Sequence, residues 1–356
     1  MPLYIALISL LSLLFGNDEA EIVFAGDAMM HQAQIEAAHQ KDGSYDFSEY
    51  FKAVEGYVGC ADYAVVNLET PVSNPPYSGY PCFNAPEEYI DALADAGFDL
   101  FLTANNHTLD RRDKGLCATI QNLDKRRLDH IGTYTCDSSR RVSLPFIKNI
   151  NNIRISFLNY TYGTNGITPG NKVKVDYINR ELIRRDVEAA KEAGAEFIIV
   201  CIHWGNEYKL LPDSSQRSLA QYINGLGVDA IIGSHPHVIQ PMEMVAKADG
   251  KQLTVYSLGN FISNMRTTDT RGGAMVKIKI SRGDDGKVRL TDSSYRLVFT
   301  EPQAPGHNFR LSWAELSKDS RAAAFAKSAR NIFKKHNKNV EEELPGRLTR
   351  ILAGQQ

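Results

Sequence analysis

Ile231-Ile232-Gly233-Ser234-His235-Pro236-His237 is an apolar run that ends in two imidazoles, and the chain repeats the device four more times. The other four are Val23-Phe24-Ala25-Gly26-Asp27, Val65-Val66-Asn67-Leu68-Glu69, Leu102-Thr103-Ala104-Asn105-Asn106-His107 and Val200-Cys201-Ile202-His203. Short apolar runs of this kind read as strands buried on both faces. In an open α/β sheet the carboxyl ends of neighbouring strands meet at one crevice, so residues far apart in sequence converge there. Carboxylate and amide oxygens with imidazole nitrogens suit Zn, Mn or Fe. The pattern predicts an α/β fold whose strand ends bring Asp27, Glu69, Asn106, His203, His235 and His237 to a site for one or two divalent ions.

Each residue has a plainer alternative. A lone Asp after a strand is commonly a turn former or helix cap, and a lone His such as His203 is commonly packed and hydrogen-bonded. His235-Pro236-His237 is the more specific unit. Proline pushes His235 towards an extended conformation, where alternate side chains face the same way and both rings reach one metal cluster. It is the coincidence of five such strand ends that favours metal. Beside Asn106, His107 is placed to protonate a leaving group. Asp110 either holds the His107 tautomer or caps the helix that follows. His31, one helical turn beyond Asp27, reads as an extra ligand, a substrate contact or a surface residue. Asn67 and Asn260 read as crevice-lining, substrate-facing groups, with a simple turn as the alternative for Asn260.

Outward from these motifs, the strands predicted are Ile22–Ala25, Tyr63–Val66, Leu100–Thr103, Ile153–Asn159, Phe197–Ile202, Ala230–Ile232 and Leu253–Ser257. Helical patterns at Glu87–Ala96, Leu116–Arg127, Arg180–Ala193 and Gln216–Leu226 alternate with them, implying βα units and a largely parallel sheet. After residue 250 the pattern becomes antiparallel, with Ala274–Ile280 and Val288–Val298 joined by Gly283-Asp284-Asp285-Gly286. Residues 21–300 thus form the main domain, and 301–356 a Pro/Gly-containing linker and a charged helix from about Trp313.

The chain has 356 residues, 43% of them apolar and 23% charged, with net charge −2. That balance gives no reason to expect nucleic acid as a partner, since such binding is driven by clustered Lys and Arg. Five cysteines without a Cys-x-x-Cys pair exclude a zinc–thiolate site by spacing. Cys201, in a strand run, reads as buried and inert. Leu3 to Phe15 is almost unbroken apolar sequence, too short to span a bilayer, which takes about 20 residues. Residues 1–20 therefore read as an export signal or N-terminal anchor, with a first buried strand or helix as the alternative.

At Ala25-Gly26-Asp27, Val66-Asn67-Leu68-Glu69-Thr70-Pro71 and Thr103-Ala104-Asn105-Asn106-His107-Thr108-Leu109-Asp110 the chain resembles the CapA family of capsule-synthesis proteins, associated with poly-γ-glutamate capsules. His203-Trp204-Gly205-Asn206-Glu207-Tyr208, Gly233-Ser234-His235-Pro236-His237-Val238-Ile239-Gln240-Pro241 and Tyr256-Ser257-Leu258-Gly259-Asn260-Phe261 follow in the family's order. That family looks like a branch of the calcineurin-like metallophosphoesterases. The resemblance implies a four-layer α/β/β/α sandwich of two mixed sheets, two metals held by the six residues named above, and His107 as acid. It further implies an extracytoplasmic, membrane-associated location, an anionic envelope polymer or its precursor as partner, and capsule-synthesis machinery nearby. One departure stands out. Metallophosphoesterases carry Asp-x-His at the first strand end, where this chain has Asp27-Ala28-Met29, so one ligand is missing unless His31 supplies it. Two functions remain: a metal-dependent hydrolase of a phosphoester or amide, or a non-catalytic accessory protein with a vestigial metal site.

Overall fold

In the computed structural model, which describes residues 18–343, the apolar runs become the central strands of two mixed sheets. The first sheet runs β16 (Arg310–Trp313), β15 (Val288–Glu301), β14 (Gly272–Arg282), β1 (Glu19–Ala28), β2 (Tyr63–Leu68), β3 (Leu100–Leu102), β4 (Asp129–Ile131). Short β13 (Asn260–Ile262) pairs with β1 and β17 (Glu341–Glu342) with β15. The second runs β11 (Ile239–Lys247), β12 (Gly250–Leu258), β10 (Ala230–Ser234), β9 (Phe197–His203), β7 (Ile153–Thr161), β6 (Phe146–Ile150). A two-stranded piece, β5 (Thr133–Tyr134) and β8 (Lys174–Val175), completes the strands. The strands from β1 to β4 are parallel, as are β12, β10, β9 and β7. The remaining long strands pair antiparallel, so the largely parallel sheet expected from sequence is two mixed ones.

Burial explains the layering. β2 and β9 are buried at every residue because each face is covered. Ile22 and Phe24 of β1 meet Phe157, Ile199 and Val255 between the sheets. On the outer face of the first sheet, Val23, Ala64 and Val66 pack under α1 (Gln32–Ala38), α2 (Lys52–Val58) and α3 (Glu88–Asp95). The same cluster takes Leu123 from α4 (Arg112–Lys125). On the far side, Ile198, Val200 and Ile231 pack under α6 (Arg180–Glu192) and α7 (Ser214–Gly225), while α5 (Asp137–Ser143) contributes no buried residue. The order helix, sheet, sheet, helix is the sandwich that the resemblance implied.

Several segments differ from the sequence reading, and two of them bear on the sheets. No strand is predicted at Ile239–Lys247, yet it forms β11, where Pro241 is tolerated because the strand is an edge. Trp313, expected to open a helix, ends β16 instead, with the Arg296 guanidinium 3.5 Å from its ring centroid. The helix, α8 (Ser320–His336), begins later, capped by the Asp319 carboxylate, which accepts from Arg321 N. Its Phe325 and Phe333 enter the core between the sheets. All five cysteines are free, and Cys201 is buried. The apolar run at 3–15 lies outside the described residues.

Candidate metal centre

The carboxyl ends of β1, β2 and β3 from one sheet and of β9 and β10 from the other deliver their polar residues to one buried cluster. Asp27, Glu69, Asn106, His203, His235 and His237 are each at most 3% exposed. Local sequence decides how Asp27 gets there. β1 slips register against β2 between Ala25 and Asp27, a bulge that re-aims the carboxylate. Gly26 permits it, since a Cβ there would lie 2.0 Å from the Gly259 carbonyl oxygen.

Asp27 Oδ1 accepts from Asn67 Nδ2 at 2.8 Å, and Oδ2 lies 3.3 Å from His237 Nδ1. Glu69 Oε1 is 3.6 Å from His203 Nε2 and 3.8 Å from His237 Nε2. Asn106 Oδ1 is 2.9 Å from His203 Nε2. Ligand atoms of Glu69, His235 and His237 lie within 4.8 Å of one another, and so do those of Asp27, Glu69 and His203, which makes Glu69 common to both groups. Ligands held at about 2.1 Å by one ion are separated by about 3.0 Å at a right angle and about 3.4 Å at a tetrahedral one. The observed spacings bracket those values.

The electrostatics point the same way. Neither carboxylate oxygen of Glu69 has a hydrogen-bond partner, nor has His235 Nδ1. A buried carboxylate without donors is costly unless a cation compensates it. Burial, and then the neighbouring Asp27 charge, push the Glu69 carboxyl well above its ordinary range. Burial, followed by the adjacent imidazoles, holds His203 well below its ordinary value, and burial lowers His235 to about 3. Both rings therefore stay neutral with a lone pair available, the state in which imidazole binds metal. Buried His, Asp and Glu groups here could hold metal ions.

The positions behind the cluster were only partly foreseen. His107 Nδ1 is 2.7 Å from Asp110 Oδ2, which also accepts from Phe83 N at 2.8 Å. α4 starts at Arg112 with Arg111 at its N-cap, so of the two roles read for Asp110 the helix cap is not the one adopted. Asn67 and Asn260, expected to face substrate, are buried, with the Asn67 amide on Asp27. Asn260 Oδ1 lies 3.0 Å from His237 Nδ1 while its Nδ2 donates to Thr270 O. Both amides thus orient cluster residues. His31 Nδ1 accepts from Asn264 N at 3.2 Å, its ring packs edge-on against Phe83, and it lies outside both ligand groups. His235 and His237 do converge, but not through an extended segment: φ is +98° and +57°. The chain must reverse there, because β11 runs antiparallel to β12, which is itself parallel to β10, and it does so in strained left-handed backbone. Asn165 was missed altogether. Its Oδ1 accepts from Asn106 Nδ2 at 3.3 Å, which leaves Asn106 Oδ1 aimed at His203. The Asn165-Gly166 turn signal just after β7 marked a loop, but nothing in it marked a site.

Residues 21–265 match the family described as "Bacterial capsule synthesis protein PGA_cap". The chain is 26% identical over 344 residues to "Capsule biosynthesis protein CapA" of Bacillus anthracis, covering 93% of this chain and 81% of that protein. It is 28% identical over 289 residues to "PGA biosynthesis protein CapA" of Bacillus subtilis (strain 168), covering 78% and 72%. Among solved structures, NAD nucleotidase from Haemophilus influenzae aligns with a TM-score of 0.48 at 14% identity, over 91% of this chain. This chain spans 64% of that one, under two thirds of its length. The 5'-nucleotidase from Candida albicans SC5314 aligns with a TM-score of 0.41 at 11% identity, over 90% of this chain and 59% of that one.

Proposed function

Because the chain belongs to the bacterial capsule synthesis (PGA_cap) family, we propose that it is a metal-dependent hydrolase acting on a phosphoester or amide of an envelope polymer, poly-γ-glutamate or its precursor. The observation that carries the reading is Glu69: fully buried, facing three imidazoles, with both oxygens unpartnered. Asp27, Glu69, Asn106, His203, His235 and His237 would hold one or two ions, with Glu69 serving both groups. Mn, Zn and Fe suit this mixed oxygen and nitrogen set. A bound ion would supply Lewis-acid polarisation of the attacked centre and a nucleophile from water at neutral pH.

The rest falls to side chains. Asp110 fixes the His107 tautomer by holding Nδ1, and Nε2 then delivers a proton to the departing oxygen or nitrogen. Asn165 fixes the Asn106 amide, Asn67 the Asp27 carboxylate and Asn260 the His237 ring. The family name and the apolar run at 3–15 support work outside the cytoplasm, beside membrane-bound capsule-synthesis machinery. The test is elemental analysis of purified protein, then turnover of phosphoester and γ-glutamyl panels by wild type and His107→Ala. Bound metal with turnover lost in the variant is expected; equal rates for the two proteins sink the assigned role.

One observation favours the second reading, an accessory protein with a vestigial site. Met29 stands where the metallophosphoesterase pattern has histidine, and His31 does not join either ligand group. Absence of metal, with no stabilisation by added Mn or Zn, would decide for it.

A further inference from the structure

Directly after Asp110 the chain reads Arg111-Arg112-Asp113-Lys114-Gly115, three cations in four positions. They open α4 at the positive end of its dipole, where cations are disfavoured. The same helix closes on Lys125 and Arg126, which suit the negative end and ion-pair with Glu87 and Asp91. At the head of the helix the neighbouring carboxylates are engaged elsewhere. Asp110 Oδ2 accepts from Phe83 N and lies 2.7 Å from His107 Nδ1, and Asp113 accepts from Gly170 N at 2.9 Å. Among the described residues no carboxylate ion-pairs with Arg111, Arg112 or Lys114. Arg112 and Lys114 are exposed and Arg111 is half-buried, so core packing does not call for them either. A Cβ at Gly115 would lie 2.1 Å from Arg111 Cβ, so this glycine, a poor helix former, makes the space that the Arg111 stem occupies.

The three cations line a groove of about 370 Å³ with Ser73 and Asn74, from the loop after β2, and with Asp110. Asp110 is thus a wall shared with the metal centre. It holds His107, and Asn165 joins His107 to Asn106, its Nδ2 3.5 Å from His107 Nδ1 and its Oδ1 accepting from Asn106 Nδ2. Asp110 is also the one carboxylate in the groove lining, and it is buried and already hydrogen-bonded. The groove therefore carries an uncompensated positive charge beside a buried acidic cluster. Guanidinium forks pair with carboxylates two bonds at a time, and an ammonium adds a point charge. One carboxylate would leave two of the three cations unused; several on one chain would engage them together.

We propose that Arg111, Arg112 and Lys114 form a subsite that holds successive free carboxylates of a γ-linked polyglutamate chain outside the metal centre, so that affinity rises with chain length. The inference rests on the envelope-polymer reading above and makes no use of the metal. Held in the groove, the chain presents one of its linkages beside Asp110 and His107.

The test is calorimetry of metal-loaded and metal-stripped protein with a γ-glutamyl dimer, a γ-glutamyl hexamer, a polyphosphate of matched charge and methylphosphonate. The groove variant combines Arg111→Gln, Arg112→Asn and Lys114→Gln, with asparagine chosen because φ at Arg112 is +55°. Its control combines Lys327→Gln, Lys334→Gln and Lys335→Gln, which removes the same charge from exposed positions of α8. Taking cations off the head of α4 should leave the melting temperature equal or higher.

Wild type should bind the hexamer about tenfold tighter than the dimer at low salt, as three exposed ion pairs of ordinary strength would give. The gap should fall to about twofold in the groove variant and persist in the α8 control. No gap in wild type, or one that survives in the groove variant, overturns the subsite. A control that loses as much overturns it too, because net charge alone then explains binding. Polyphosphate held more tightly than the hexamer through the same three residues overturns the choice of carboxylates. Methylphosphonate reads the metal centre separately: binding that ignores the metal overturns the metal reading and, with the length gap intact, leaves the subsite standing.

Discussion

Replacing Glu69 with Gln keeps the shape of the cluster and removes the charge that only a cation compensates. In the metal-free protein both Glu69 oxygens lack donors, so the neutral amide should leave the melting temperature equal or higher. Metal loading should separate the proteins. At an ion concentration of roughly a thousand times the dissociation constant, wild type gains about 4.1 kcal/mol. With an unfolding entropy of about 2.1 cal/mol/K per residue, the 356-residue chain has about 0.75 kcal/mol per degree, so the gain is a rise of about 5 °C. Weakening of roughly a hundredfold, the upper range seen even for outer-shell partners, leaves the variant about 1.4 kcal/mol, or about 2 °C. The assay is differential scanning calorimetry of stripped and metal-saturated samples, with ion content measured in parallel. A variant that keeps the full wild-type rise would refute the placement of Glu69 at the ion. A stripped variant markedly less stable than stripped wild type would refute the argument that the carboxylate is uncompensated.

Four further outcomes follow from particular contacts. Asp110→Asn should leave metal content unchanged and, if His107 is the acid, lower kcat by at least about tenfold, because the amide no longer selects the His107 tautomer; an unchanged kcat would remove Asp110 from the machinery. Gly26→Ala drives a Cβ to 2.0 Å from the Gly259 carbonyl and should destabilise by about 2 kcal/mol or more by denaturant titration. Phe325→Ala empties a position in the core between the sheets and should cost about 3–5 kcal/mol, whereas a loss below about 1 kcal/mol would mean α8 packs only loosely there. His31, lowered to about 4 chiefly by burial, stays neutral in the folded protein while the unfolded chain protonates near 6.5. The unfolded state then binds more protons between those values, so stability should fall as pH drops from 6.5 towards 4, with a shallower decline in His31→Gln measured at each pH.

The sequence by itself determined which residues could meet and on what scaffold. Runs such as Val200-Cys201-Ile202 must be buried on both faces, so their polar terminators can emerge only at strand ends, and parallel strands put those ends on one side. That logic is local and periodic, which is why β1, β2, β9, β10 and the six cluster residues were legible. What needed the tertiary structure was everything set by contacts between distant segments. Pairing of β11 against β12 made room for Pro241 on an edge and forced His235 and His237 into left-handed backbone, which the proline rule alone had read as extended. The approach of Gly259 to Gly26 set the bulge that aims Asp27. Asn67 and Asn260 became orienting groups because Asp27 and His237 stood within hydrogen-bond reach. Asn165 lies on a loop with no periodicity to read, and only the packing of that loop against Asn106 brings it to the cluster. Sequence fixes a side chain's chemistry and the rhythm of its element; the partner it meets across the fold depends on how those elements close on one another.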